Sequence, residues 1–129
     1  MGFKMFLLFS HKLTSDQESE AVTKWEIERF FYLPQKLQQR WSNIPPELER
    51  EELFEYLDPI KEWVEELAEE GDRILIQGDF GAVCHLVNFS KELGLVPLYA
   101  TTKRVVEERE TPGGIVKKSI FRHIRFRRF

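Results

Sequence analysis

The sequence has little of what builds disulfide-stapled or membrane-anchored folds. Cys84 is the only cysteine, so a disulfide framework within the chain is excluded and a reducing compartment is favoured. The longest unbroken apolar run covers residues 5–9, which is far too short for a membrane span or a signal-peptide core. No internal repeat, linker or low-complexity stretch is present. We therefore expect a cytoplasmic protein without a membrane partner.

Several motifs of catalytic chemistry are also missing. The sequence contains no HExxH or CxxC motif, and no pair of His, Cys or acidic residues has metal-ligand spacing. We accordingly predict neither a metal nor a cofactor. The dinucleotide fingerprint GxGxxG cannot be drawn anywhere in the chain. Residues 79–81 spell the DFG triplet of protein kinases, but the glycine-rich loop, strand lysine and catalytic loop of kinases are absent, so the match is accidental.

The composition that remains is that of one globular domain covering residues 1–129. Hydrophobic residues make up 42% of the chain, and 11 Phe, 3 Trp and 3 Tyr supply bulk for a core. The net charge of −3 is unevenly spread. From residue 103 to residue 129, nine Lys and Arg oppose three Glu, whereas the first 102 residues are acidic. Such asymmetry indicates either a polyanion-binding element or a solvated strand face.

Apolar periodicity predicts alternating strands and helices. Short apolar runs at residues 4–9, 29–33, 73–77 and 96–100 predict four strands. Thr14 and Gln17 predict a capping box for a first helix. Residues 41–47 are expected to be a rigid connector whose paired prolines open a helical region reaching residue 70, broken at Pro59. Residues 82–93 predict a further helix, which Gly94 ends.

The last part of the chain predicts a hairpin. Residues 105–110 and 115–129 flank a Thr-Pro-Gly-Gly turn. In the final strand Ile120, Ile124 and Phe126 alternate with His123 and two arginines, which predicts one apolar and one basic face. We therefore predict an α/β, Rossmann-like fold: a mainly parallel sheet with helices on both faces and a C-terminal antiparallel β-hairpin.

Ligands of open α/β sheets bind beyond the carboxyl ends of the strands, where three loops of this chain are expected. The loops are Ser10, His11 and Lys12; Gly78, Asp79, Phe80 and Gly81; and Thr101, Thr102, Lys103 and Arg104. Gln77, at the end of the strand before the second loop, is a further candidate for ligand binding. Glycines before a helix allow a phosphate to approach its free N–H groups. A tight strand-to-helix turn without a ligand is the alternative. Lysine and arginine suit phosphate oxygens.

Proton transfer needs a group that titrates near neutrality, and three histidines are candidates. His11 directly follows the first strand and is the best placed. His85 is interpreted as a satisfied core residue of its helix, and His123 as a residue of the basic strand face. Trp41, Phe80 and Tyr99 are candidates for stacking on bases, with a core role favoured for Trp41.

Five separated runs, in order, resemble a small CRISPR-associated family, the twentieth of the Csx naming series. They are LLFSHKLT at residues 7–14, WSNIPPEL at 41–48, IQGDFGA at 76–82, YATTKRVVEE at 99–108 and FRHIRFR at 121–127. That family belongs to type III CRISPR systems and is similar to the CARF domains that sense cyclic oligoadenylate. The resemblance implies a CARF-like ring nuclease, which cleaves the cyclic messenger without a metal through attack by a ribose 2′-hydroxyl.

Loop position then assigns roles toward a cyclic oligoadenylate, expected to be cyclic tetra-adenylate. His11 is predicted to transfer protons, with Ser10 and Lys103 beside it at the reacting phosphate. Ser42 and Asn43 are further candidates for hydrogen bonds to ribose or base, beside the three loops. We expect a homodimer and no stable partner among long nucleic acids. A module that only sequesters the messenger, or a single-strand nucleic-acid binder that uses the basic hairpin, remain alternatives.

Overall fold

The computed structural model describes residues 2–129, and one sheet runs through them. The elements follow in the order β1 (Phe3–Leu8), α1 (Ser15–Lys24), β2 (Ile27–Tyr32), α2 (Gln35–Ser42), α3 (Arg50–Tyr56), α4 (Asp58–Leu67), β3 (Arg73–Ile76), α5 (Phe80–Glu92), β4 (Val96–Thr111) and β5 (Gly114–Arg128). The sheet order is β2-β1-β3-β4-β5.

The sheet is mixed, and the prediction of a mainly parallel sheet is wrong. Strands β2, β1, β3 and β4 pair in parallel over three to five residue pairs each. The antiparallel pairing of β4 with β5 runs from Leu98 to Thr111 and is much longer. The α/β class and the C-terminal antiparallel hairpin are confirmed, but the length of the hairpin makes it half of the strand pairing.

Helices cover both faces of the sheet, as alternation along the strands requires. Met5 and Leu7 of β1 point to the face that α1 covers, where they pack in a buried cluster with Ala21. Phe6 and Leu8 point to the opposite face, where the buried cluster includes residues of α2, α4 and α5. Both clusters are closed around β1, since its residues 5–8 are fully buried.

The helices differ from their predicted bounds between residues 34 and 57. The predicted connector at Trp41 is in fact the end of helix α2, because Trp41 is buried on the apolar side of a helix that begins after Pro34. The paired prolines precede the next helix rather than opening it, since Glu49 forms the capping box of α3. The break at Pro59 is confirmed: Pro59 lies in the first turn of α4. The capping box at Thr14 is also confirmed.

The fourth predicted strand and the first strand of the predicted hairpin are one element, β4. Only Val96, Pro97 and Leu98 of this strand pair with β3. Beyond them β4 continues with β5 as its single neighbour, past the edge of the sheet. We call residues 102–123 the arm. At about 3.4 Å per residue, the arm extends roughly 30 Å beyond its base.

A β-bulge at the base of the arm changes which side chains share a face. Thr101 pairs with Arg125 but Thr102 pairs with His123, so Ile124 has no partner in β4. Because one extra residue shifts the alternation, His123 points to the α1 side and Ile124 is 54% exposed. The predicted division into an apolar and a basic face is therefore wrong from Ile124 to the tip of the arm. The prediction that His123 lies on the basic surface is wrong as well.

Glu20 of α1 supplies the hydrogen-bond acceptor that the bulge removes from the strand ladder. Its carboxylate accepts hydrogen bonds from the backbone N–H of Phe126 at 2.9 Å, from His123 Nε2 at 2.6 Å and from Trp25 Nε1 at 3.1 Å. Burial alone would raise the pKa of Glu20, but these hydrogen bonds outweigh it and hold the pKa below its ordinary value of 4.5. The anionic carboxylate thus fastens the base of the arm to α1.

Over residues 2–129, every helix is too short or too polar to cross a lipid bilayer.

Candidate functional site at the carboxyl edge of the sheet

The strand order reverses between β1 and β3, which lie side by side at the middle of the sheet. Strand β2 lies on the far side of β1, and β4 lies on the far side of β3. Leu8 pairs with Ile76, so the two strands end level with each other. The chain leaves β1 toward α1 and leaves β3 toward α5. Such a divergence opens a crevice at the carboxyl edge, the usual ligand position in open α/β sheets.

Two serines meet at this crevice. Ser10 Oγ lies 3.1 Å from Ser42 Oγ, although 32 residues separate them. Ser42 is the last residue of α2 and accepts a hydrogen bond from Gln38 Nε2 at 3.0 Å. The hydroxyl pair is exposed and holds donors that can turn toward an anion. Helix α2, which the sequence patterns did not reveal, is what brings Ser42 to Ser10.

His11 and Lys12 line a cavity of about 280 Å³ next to the serine pair. Its other lining residues are Ser10, Tyr32, Leu33 and Gln38. The His11 ring meets the ring of Phe9 edge to face at 5.4 Å and is otherwise exposed. The structure thus brings together four predicted residues, namely Ser10, His11, Lys12 and Ser42. Asn43 is not part of this group, since its Nδ2 donates back to the Gln39 carbonyl.

The loop between β3 and α5 is shaped by packing. A Cβ atom on Gly78 would lie 3.1 Å from the Trp41 ring, and one on Gly81 would lie 3.2 Å from Leu53. The Asp79 carboxylate accepts from the N–H of Ala82 at 3.0 Å and caps α5. Asp79 therefore occupies one of the amides that a phosphate would use, and its charge opposes an anion there. This geometry is that of a tight strand-to-helix turn, and ligand binding by Gly78, Asp79 and Gly81 stays a prediction.

Phe80 opens α5 and is 95% exposed. No core role explains an aromatic ring in that position, so its predicted role as a stacking platform remains open. Trp41, in contrast, is buried, and its Nε1 donates to the Gln77 carbonyl at 3.0 Å. The favoured core role of Trp41 is confirmed.

Gln77 holds three elements together at the edge. Its N–H donates to the Leu8 carbonyl of β1, its carbonyl accepts from Trp41, and its Oε1 accepts from the N–H of Ala100, each at 3.0 Å. The pairing of β4 with β3 ends at Leu98, so the Ala100 N–H has no backbone acceptor in β3. The Gln77 side chain supplies that acceptor. Gln77 was predicted to bind ligand, but its amide oxygen is engaged in positioning the crevice.

The third predicted loop is a strand segment, the start of the arm. The Thr101 hydroxyl donates to the Arg125 carbonyl. Successive strand residues point to opposite faces, so Thr102 and Arg104 lie on the α1 side whereas Lys103 lies on the α5 side. Arg104 donates to Ser119 Oγ through Nε and Nη2. The structure therefore separates Lys103 from Arg104, which were predicted to act as a pair.

A larger cavity, with a volume of about 590 Å³, lies elsewhere, between α3, α4 and α5. His85 lines it and is stacked on Phe54 at 3.8 Å, while Lys61 Nζ donates to His85 Nε2 at 3.0 Å. Burial, and then the Lys61 charge, lower the pKa of His85 from its ordinary value of 6.5. The interpretation of His85 as a core residue is wrong. The exposed small residues Gly81 and Cys84 on the same helix face were the sequence signal for this cleft.

Among the residues that the structure describes, no three His, Cys, Asp or Glu side chains come together as a possible metal site.

Fold and site together define a class: an α/β protein with a mixed sheet, a polar crevice at the strand-order reversal and a projecting arm. The family model described as the Uncharacterized protein MJ1673 family matches residues 3–127. The chain is 48% identical over 126 residues to Uncharacterized protein MJ1673 of Methanocaldococcus jannaschii, with 98% of this chain and 96% of that protein covered. The chain belongs to the MJ1673 family. No solved structure matches it significantly.

Proposed function

We propose that the protein is a CRISPR-associated ring nuclease of type III systems, with a Rossmann-like, CARF-like domain, that acts in the cytoplasm as a homodimer. Its substrate is a cyclic oligoadenylate, and cyclic tetra-adenylate is the ring we propose. The observation that carries the proposal is the convergence of Ser10, Ser42 and His11 at the point where the strand order reverses. The crevice offers hydroxyl donors and a titratable group, which suit a phosphodiester.

The chemistry requires little beyond positioning and proton transfer. The 2′-oxygen of a ribose attacks the adjacent phosphorus, a P–O2′ bond forms, and the P–O5′ bond breaks. The products are linear adenylates with a 2′,3′-cyclic phosphate at one end and a 5′-hydroxyl at the other. In this proposal His11 takes the proton from the 2′-hydroxyl, and a solvent water that reaches the exposed crevice gives a proton to the leaving 5′-oxygen. The Ser10 and Ser42 hydroxyls donate to the phosphate oxygens, where charge increases in the transition state.

Three side chains suggest where the phosphate and an adenine of the ring would lie in this proposal. Asp79 disfavours phosphate at the start of α5, so we propose that the phosphate lies toward the serine pair instead. Lys103 lies on the α5 side of the arm, beside Arg122, and we propose that its flexible ammonium group reaches an exposed phosphate of the ring. Phe80 is the aromatic residue we propose for stacking on an adenine, because its ring is almost fully exposed.

The test is cleavage of cyclic tetra-adenylate in the presence of EDTA, with products identified by mass spectrometry. Linear adenylates with 2′,3′-cyclic phosphate ends are expected. His11→Gln should lower the single-turnover rate by about 100-fold, the usual effect of losing a general acid–base group. The matched control is His85→Gln, outside the crevice, which should leave the rate unchanged. Intact ring after prolonged incubation, or restoration of activity only by a divalent metal, would contradict the proposal.

Binding and cleavage are separated by a second pair of variants. Lys103→Ala should weaken binding of the ring several-fold with little effect on the rate of bound substrate. Arg109→Ala, on the same face of β4 nearer the tip, is the matched control. If the protein binds the ring tightly without cleaving it, the sequestering module is the correct function.

A second candidate function is single-strand nucleic-acid binding. Cross-strand pairing places Lys103 beside Arg122, Thr101 beside Arg125 and Tyr99 beside Arg127, all on the α5 side. This basic face with a half-buried aromatic ring, Tyr99, is similar to surfaces that follow a nucleic-acid backbone. Binding of linear oligoadenylate that falls steeply with salt, and that equals or exceeds binding of the ring, would favour this function.

A further inference from the structure

The arm is a two-stranded ribbon with three exposed apolar side chains on its α1 side, whereas Val116, 52% exposed, lies on the opposite side beside Arg109. Phe121 is 72% exposed, Ile115 is 63% exposed and Val106 is 56% exposed. Cross-strand pairing places Phe121 beside Arg104, Val106 beside Ser119 and Ile115 beside Glu110, which puts all three apolar residues on the α1 side of the ribbon. We call this surface the arm face. An isolated hairpin is marginally stable in water, so an uncovered face of this kind indicates a partner.

The arm face has a positive charge near one end and a negative charge near the other. Two arm faces that pack in opposite directions would therefore bring opposite charges together. Arg104 lies near the base of the arm and Glu110 near the tip, six residues along the same strand. Within residues 2–129 neither side chain forms an ion pair. Glu108 and Lys117, which lie between them, already pair with each other at 3.7 Å.

We propose that two copies of this chain dimerise by packing their arm faces together in antiparallel orientation. A two-fold axis that crosses the ribbon at the level of Glu107 places Arg104 opposite Glu110 of the second copy. The same operation places Phe121 opposite Ile115 of the second copy, because Phe121 is the neighbour of Arg104 and Ile115 is the neighbour of Glu110. One rotation therefore places the Arg104 and Glu110 charges opposite each other and Phe121 opposite Ile115, as a two-fold interface requires, while Val106 lies opposite Glu108, whose charge is already balanced by Lys117.

The contact between the two arms ends at the base of each arm, where helix α1 begins. Helix α1 covers the arm face from His123 onward, through the Glu20 contact. In the proposed register, the turn at residues 111–114 of one copy reaches the level of Thr102 and His123 of the other. The second arm thus ends where α1 begins, and the two arms cover each other along the whole exposed face. This inference rests on the homodimer of the proposed function and names its interface, but it does not require the nuclease activity, so cleavage and dimerisation can fail independently.

Sedimentation equilibrium of the full chain provides the test, with circular dichroism to confirm that each variant is folded. The wild-type protein should be a dimer at micromolar concentration. Phe121→Ser should weaken the dimer at least about tenfold, because the residue lies where the partner covers it. The matched control is Phe80→Ser, which removes an even more exposed phenylalanine outside the arm and should leave the dimer intact.

Charge reversal tests the antiparallel register itself. Arg104→Glu alone and Glu110→Arg alone should each weaken the homodimer, since each puts like charges opposite each other twice. An equimolar mixture of the two variants should form heterodimers of wild-type affinity, because both contacts then join opposite charges. A monomeric wild-type protein, a dimer insensitive to Phe121→Ser, or a mixture that remains monomeric would each overturn the proposal. A dimer built by strand edges or by helices would show the second of these results.

Discussion

Replacing Glu20 with alanine should loosen the base of the arm and destabilise the whole chain. The carboxylate is 9% exposed and accepts hydrogen bonds from the Phe126 N–H, His123 and Trp25. Alanine leaves all three donors without their acceptor at a bulge where the β4 ladder offers no substitute. Glu18→Ala is the matched control, since Glu18 is an exposed carboxylate of the same helix.

The magnitude follows from the number and kind of hydrogen bonds. A hydrogen bond to a charged group contributes about 1.5–3 kcal/mol, and the contributions of neighbouring bonds do not add fully. Water enters from the adjacent open pocket of about 320 Å³ and recovers part of the loss. We therefore expect a loss of about 3 kcal/mol. With an unfolding entropy of about 2.1 cal/mol/K per residue, this corresponds to a decrease in Tm of roughly 10 °C.

Guanidinium denaturation at pH 7, followed by tryptophan fluorescence, measures the free energy of unfolding. Because the pKa of Glu20 is lowered in the folded protein, its contribution is present above pH 4.5 and is lost as the pH falls through the folded-state pKa. The wild-type and Glu20→Ala curves should therefore converge in acid. A difference of less than 1 kcal/mol at pH 7, or a loss equal to that of Glu18→Ala, would refute the reasoning.

Three other predictions concern single positions, each checked by chemical denaturation. Gly78→Ala should cost about 1–3 kcal/mol, because the new Cβ would lie 3.1 Å from the fixed Trp41 ring; Gly113→Ala, whose Cβ meets nothing closer than 4.0 Å, should be neutral. Because the pKa of His85 is lowered from 6.5, the unfolded state binds its proton first, so stability should fall as pH drops below about 6.5. His85→Gln should flatten that slope, and an unchanged slope would contradict it. Thr14→Ala should cost about 1 kcal/mol through loss of the α1 cap, and no measurable loss would count against the capping box.

Local sequence signals were sufficient where an element depends on its own residues. The capping box at Thr14, the break at Pro59 and the end of α5 at Gly94, which has a φ of 74°, were all predictable. Each of these signals acts within one turn of the backbone. The α/β class followed from the alternation of period-two and helical patterns, and so did the hairpin.

Elements fixed by distant contacts could not be predicted in this way. The bulge at Ile124 exists because Glu20, more than one hundred residues earlier, accepts the Phe126 N–H in place of the β4 ladder. Without knowledge of that contact, simple alternation assigns His123 to the wrong face. The length of β4 was missed for a related reason, since the strand continues where its neighbour β3 stops.

The candidate site was predicted in part. Three loops were expected at the carboxyl edge, and two of them do flank the crevice. The Ser10–Ser42 contact depends on helix α2, whose short polar sequence has only Leu37 and Trp41 as apolar residues and whose position is set by burial of Trp41. The roles of Gln77 and Asp79 in positioning the backbone were also beyond sequence patterns, because glutamine and aspartate serve ligands and backbone groups equally well.

Strand β4 joins two regions whose amide protons should exchange with solvent on very different timescales. The amides of residues 96–98 belong to the buried sheet, so their exchange requires the cooperative opening of the core. Those of the arm are held by a single ribbon and exchange when that ribbon frays from its turn. Protection should therefore decline along one continuous strand, from the global free energy of unfolding at Leu98 toward almost none at Thr111. The decline in protection along β4 therefore reports whether a partner covers the arm. A bound partner would raise the protection of amides near Thr111 and leave the protection at Leu98 unchanged.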